Sequence, residues 1–166
     1  MLVRAAEAER LESIGHFLLA DSSATHGALS SHRVALGRGA AGAVPHRHGK
    51  SSELFFILDG TLDVLAGDDI VAAGPGDLLV VPPGRVHAFG AHRDSTAEAL
   101  IIITPGVERF GYFRHVARWR EGREPRDVLL GLQDRFDTHF TESAAWDGAR
   151  AAREPAVTYR GNQGES

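Results

Sequence analysis

From Ser30 to Thr104 hydrophobic and polar residues alternate in short bursts, each cut off by glycine or proline. The bursts are SHRVALGRG, ELFFIL, TLDVLAG, DIVAAG, DLLVV, RVHAFG and ALIIIT, punctuated by glycines at 60, 67, 74, 76, 84 and 90. Short segments of this kind with closely spaced turn signals predict an all-β sandwich or barrel. Within ELFFIL, alternation puts Glu53, Phe55 and Ile57 on one face and Leu54, Phe56 and Leu58 on the other. The N-terminal residues and the serine-rich stretch 26–32 are expected to add a short helix and one or two strands.

After Pro105 the period changes. In VERFGYFRHVARWRE, the positions Val107, Phe110, Tyr112 or Phe113, Val116 or Ala117, and Trp119 or Arg120 recur every three to four residues. That spacing predicts an amphipathic helix packed on the barrel. Pro125 suits a helix start, DVLLGLQDRF reads as a second helix, and a shorter one is expected over Ser143–Arg153. The chain shows no internal repeat. It divides into an N-terminal extension (1–29), a barrel (30–104), a C-terminal helical region (105–157) and a polar tail (158–166).

Composition narrows the chemistry. A chain of 166 residues with 43% hydrophobic residues can bury one ordinary core. It contains no cysteine, which excludes disulfides, thiolate zinc sites, iron–sulfur clusters and cysteine nucleophiles. Any metal would be held by nitrogen and oxygen. A formal net charge of −4 argues against nucleic acid as a partner, and the basic stretch Arg114–Arg126, broken by Glu121 and Glu124, reads as a solvated helix face. No apolar run is long enough to span a bilayer, and the first residues lack the core of a signal peptide, so the expected location is cytoplasmic with no membrane partner.

Two segments carry candidate chemistry. In PHRHGKSSELFFILDG, His46 and His48 are two apart, so in an extended strand both imidazoles leave one face, and Glu53 follows five residues later. In GDLLVVPPGRVHAFG, the turn Pro82-Pro83-Gly84 fixes where a strand carrying His87 begins. The other histidines (His16, His26, His32, His92, His115 and His139) read as surface or satisfied core residues. His32, on the strand before the motif, could approach the site but is not counted in it.

Together these segments resemble the two motifs of the cupin superfamily. His46, His48, Glu53 and Gly60 fall in register with G-x5-H-x-H-x3-4-E-x6-G, and Gly76, Pro82, Gly84 and His87 with G-x5-P-x-G-x2-H-x3-N. Ala40 replaces the leading glycine and Ala91 the final asparagine, neither of them a ligand position. The resemblance implies a double-stranded β-helix, or jelly-roll barrel, with C-terminal helices packed on it. It also implies a metal site of His46, His48, Glu53 and His87 in the barrel mouth. Three imidazoles and a carboxylate suit one divalent Fe, Mn, Co, Ni, Cu or Zn ion, with one or two positions left for water or substrate.

The fold alone does not choose a reaction, since it hosts dioxygenases, isomerases, cyclases, decarboxylases and sugar-binding modules. TPGVERFGYFRHVARW and LQDRFDTHFTESAAW are similar to the tails of single-domain quercetin 2,3-dioxygenase-like cupins. That likeness implies a metal-dependent dioxygenase cleaving a flavonol or related hydroxylated aromatic with O2, Glu53 serving as ligand and catalytic base. Phe55, Ile57, Phe89, Phe110 and Phe113 are the expected apolar walls around a flat substrate. The alternatives are a cupin cyclase or isomerase using the metal as Lewis acid without O2, and a non-catalytic small-molecule-binding cupin. Exposed barrel edges lead to the expectation of a homodimer.

Overall fold

A computed structural model describes residues 1–151; the polar tail expected over 158–166 and the end of the helix expected over Ser143–Arg153 lie outside the described residues. Among the described residues eleven strands form two antiparallel sheets. In chain order the strands are β1 (Glu9–Leu11), β2 (His16–Ala20), β3 (Ser30–Leu36), β4 (His46–Arg47), β5 (Ser52–Gly60) and β6 (Leu62–Ala66), then β7 (Asp69–Ala73), β8 (Leu78–Val81), β9 (His87–Ala91), β10 (Ala97–Thr104) and β11 (His139–Phe140). One sheet runs β1-β2-β3-β10-β5-β8, the other β11-β4-β9-β6-β7. This is the all-β jelly-roll barrel expected from the sequence.

Alternation drives the sandwich. Strands β3 and β10 bury every second residue, and β5 turns Glu53, Phe55 and Ile57 inward while Phe56 and Leu58 face out. Val34, Phe55, Ile57, Val64, Phe89 and Ile101 belong to the core between the sheets. Burying side chains of this size stabilises the fold by roughly 1.5–3 kcal/mol each. Strand β9 is buried on both faces because Trp146, on α4 (Ala144–Ala151), packs with Leu65 and Ala88 on the outside of the second sheet. At Gly60, φ is +69° and an added Cβ would lie 2.0 Å from the Thr96 carbonyl oxygen, so only glycine can make the turn into β6.

The C-terminal region does more than cover the barrel. Helix α1 (Phe110–Arg120) buries Phe113 and Ala117. The segment expected to be one further helix is two, α2 (Arg126–Gly131) and α3 (Gln133–Phe136), interrupted at Leu132 just after the poor helix former Gly131. Strand β11 then joins the second sheet beside β4, pairing Phe140 with His46. The N-terminal residues supply β1 and β2 to the first sheet. Among the described residues no helix is long and apolar enough to cross a membrane.

Candidate metal centre and cavity

Both sheets contribute to one buried cluster. His46 on β4 lies directly opposite His87 on β9, while Glu53 on β5 of the other sheet sits between Val81 and Ile103. His48 follows β4 by one residue. Candidate ligand atoms of His46, His48, Glu53 and His87 all lie within 4.8 Å of one another, and all four residues are buried.

The hydrogen bonds at the back of each ring orient the front. Nδ1 of His46 donates to the Val44 carbonyl at 2.8 Å, Nδ1 of His48 to the Asp137 carbonyl at 2.6 Å, and Nδ1 of His87 to the Arg85 carbonyl at 3.0 Å. A carbonyl can only accept, so each Nδ1 carries a hydrogen, and it is Nε2 that each ring turns toward the cluster. Those nitrogens surround Oε2 of Glu53, at 2.5 Å from His87, 3.2 Å from His48 and 4.0 Å from His46. Acceptors packed this closely repel unless a proton or a cation lies among them. The donor set therefore fits a divalent first-row ion, with carbonyls behind the rings fixing their tilt.

Burial dominates the electrostatics. It holds the His46 imidazole well below the usual histidine range, with the His87 and His48 charges adding to the effect. For Glu53, burial alone would raise the carboxyl, but hydrogen bonding and charge from His48 and His87 outweigh it and keep the group well below the usual carboxylate range.

Asp137 ties the C-terminal region to this cluster. Besides its carbonyl bond to His48, its carboxylate accepts from the backbone N–H of Gly49 at 2.8 Å and of Lys50 at 2.9 Å. The residue adopts a left-handed conformation, φ +48°, that ends α3 and turns the chain into β11.

A cavity of about 540 Å³ opens onto His46 and Glu53 and runs between the barrel and α1. Its lining also includes His16, His32, Arg109, Tyr112 and Phe113. His16 and His32 stack face to face, centroids 5.1 Å apart, and Nδ1 of His16 donates to the Ile14 carbonyl at 2.7 Å. Burial pushes His16 down to about 4 and carries His32 well below the ordinary value, so both rings are neutral near pH 7. Burial raises the Tyr112 phenol to about 12, which keeps it a donor.

The structure thus brings His46, His48, Glu53 and His87 together, and puts Phe89 and Phe113 on the cavity wall. Phe55 and Ile57 share the inward face with Glu53, but they sit deeper, closed into the core, with Phe55 edge-on to Phe89. Phe110 lies at the start of α1 and is not part of the cavity lining. His32, expected to be able to approach the site but not counted in it, lines the cavity, while His16, Arg109, Tyr112 and Asp137 were not expected there. A signal existed for the two histidines, because both fall on the inward parity of strands that also bury Leu18, Ala20, Val34 and Leu36. For Arg109 and Asp137 none did, since their places depend on how the chain returns after β10.

Residues 32–103 match the family described as Cupin domain. A Thermotoga maritima protein described as a predicted oxalate decarboxylase superposes with TM-score 0.56 at 23% identity, over 63% of this chain and 98% of that one. KdgF from Halomonas sp. gives TM-score 0.52 at 20% identity, over 63% and 93% of the respective chains. A Streptomyces PAC13 variant with uridine gives 0.52 at 19%, over 66% and 84%. At these identities the likeness establishes the fold. No curated protein matches the chain.

Proposed function

We propose, from the premise that residues 32–103 are a cupin domain, that the protein is a metal-dependent enzyme moving protons on a small, oxygen-rich substrate without O2. The observation that carries this reading is that His16, His32, Arg109 and Tyr112 line the same cavity as Glu53. His46, His48, Glu53 and His87 would hold one Fe, Mn, Co, Ni, Cu or Zn ion. When bound, such an ion acts as a Lewis acid that polarises a carbonyl or acidifies a hydroxyl.

The chain's own groups supply the rest. Glu53, which would serve as both ligand and base, would take the proton of a substrate hydroxyl. The His16–His32 pair, held neutral, offers hydrogen bonds to the substrate's oxygens, and the Tyr112 hydroxyl donates a hydrogen bond to developing negative charge. Phe89 and Phe113 favour a second reading, the quercetinase-like dioxygenase, because they offer an apolar wall to a flat hydroxylated aromatic. Metal-loaded protein incubated with quercetin in an oxygen electrode, with carbon monoxide detection, separates the two. Neither oxygen uptake nor gas is expected; both together overturn the first reading in favour of the second.

For the homodimer we propose the outer face of the first sheet, where Phe56, Leu58, Leu78 and Val80 are exposed on adjoining strands. Sedimentation equilibrium tests it: Leu78→Lys with Val80→Lys should leave a monomer, and an undisturbed dimer would place the interface elsewhere.

A further inference from the structure

Arg109 is buried, only 3% exposed, and it makes no ion pair among the described residues. Burying a guanidinium without a counter-charge is costly, and such charges are ordinarily paired. The acids whose fields reach it are engaged with other partners. Glu53 faces His48 and His87, and Asp137 accepts from Gly49 and Lys50. Asp21 caps α1 by accepting from the backbone N–H of Arg109 at 2.7 Å and of Phe110 at 3.0 Å. The ring faces of Tyr112 and Phe113, 4.8 and 5.3 Å from the guanidinium carbon, offset only part of the deficit.

The guanidinium is nevertheless held firmly, and by one corner. Nη1 donates to the Phe136 carbonyl at 3.1 Å and to the Thr138 hydroxyl. Nε is buried and finds no partner. In arginine the Nε–Nη2 edge is the side-on fork that meets a planar carboxylate with two parallel hydrogen bonds. The fixed corner thus orients the fork while leaving it unused, in the wall of the cavity that holds Glu53 and His46.

We infer that Arg109 is the anchor for a carboxylate on the substrate, with the Tyr112 hydroxyl beside it, so that the protein acts on a small hydroxy or oxo acid whose other oxygens reach the metal site. This rests on the reading of the cluster as a metal-dependent active site and adds the substrate class to it. Charge agrees with geometry. A divalent ion with one carboxylate ligand leaves the metal site net positive, and Arg109 adds a second positive charge. An uncharged aromatic uses neither.

The test is calorimetric binding to the full chain, with and without Zn, of D-galacturonate and pyruvate against their methyl esters. The acids should bind more tightly than the esters by roughly tenfold to a hundredfold, the worth of a charge-assisted pair of hydrogen bonds. The preference should persist in metal-free protein, where failure of the metal-site reading cannot abolish it. Arg109→Lys should weaken the acids while leaving the Zn content intact, and Tyr112→Phe should do so to a smaller degree. Equal affinity of acid and ester in the wild-type protein would overturn the proposal, whether or not the variants fold. So would a folded Arg109→Lys protein that keeps the full preference. Loss of Zn binding with the acid preference retained would instead count against the metal-site reading alone.

Discussion

Replacing Asp137 with alanine removes three supports at once. Its carboxylate accepts two backbone N–H groups in the loop after His48, and it occupies a left-handed conformation at φ +48°. Hydrogen bonds to a charged acceptor contribute about 1.5–3 kcal/mol each, but Gly49 and Lys50 are exposed and water replaces part of the loss, leaving about 2–3 kcal/mol for the pair. Alanine at positive φ adds about 1 kcal/mol. A loss of about 3–4 kcal/mol in a chain of this length lowers Tm by roughly 6–16 °C. The carbonyl that holds His48 shifts with the loop, so metal affinity should fall by about tenfold to a hundredfold.

Thermal unfolding of metal-free protein reads the first effect, and competition against a chelator reads the second. Asp137→Gly separates the contributions, since glycine tolerates the left-handed conformation and should recover about 1 kcal/mol of stability with no gain in metal affinity. An alanine variant melting within about 1 °C of wild type and binding metal as tightly would refute the claim that the C-terminal segment positions His48.

Acid should destabilise the fold through His16, whose folded value of about 4 lies below its unfolded 6.5. Below pH 6.5 the unfolded chain takes up a proton that the folded chain refuses, so the stability present above that pH is lost progressively down to about 4, by about 3 kcal/mol; urea midpoints across this window should flatten by that share in His16→Leu, and an unchanged slope would contradict the buried neutral ring. Gly60→Ala should cost about 3 kcal/mol or more, combining positive φ with the Thr96 carbonyl clash, whereas Gly27→Ala, at φ +80° with nothing near its Cβ, should cost only about 1–2 kcal/mol. Equal denaturation midpoints for the two variants would remove the steric argument.

The four-residue cluster was legible because strand parity and turn residues are local. His46 and His48 share a face by a spacing of two, and Pro82-Pro83-Gly84 sets the start of the strand that carries His87 opposite His46. The barrel was legible for the same reason, in the alternation of β3, β5 and β10. What stayed hidden was non-local. Phe55 and Ile57 have the parity of Glu53, and parity cannot distinguish depth in the core from the wall of a cavity. Arg109 and Asp137 acquire their roles only when the chain after β10 folds back, one beside Tyr112 and the other behind His48. Gly131 inside an apparently continuous apolar pattern concealed the break between α2 and α3, and with it the return that delivers β11.

Whether His46, His48, Glu53 and His87 hold a metal ion is answered by the metal content of the purified protein. The full chain would be exposed in turn to Fe, Mn, Co, Ni, Cu and Zn, freed of loosely held ions and analysed by mass spectrometry, with visible absorption recorded for the cobalt form. Wild-type protein should retain about one ion per chain, and His46→Ala and His87→Ala should lose both the metal and the cobalt bands while remaining folded. Wild-type protein that retains none of the six, or a His87→Ala variant with undiminished content, would contradict the account.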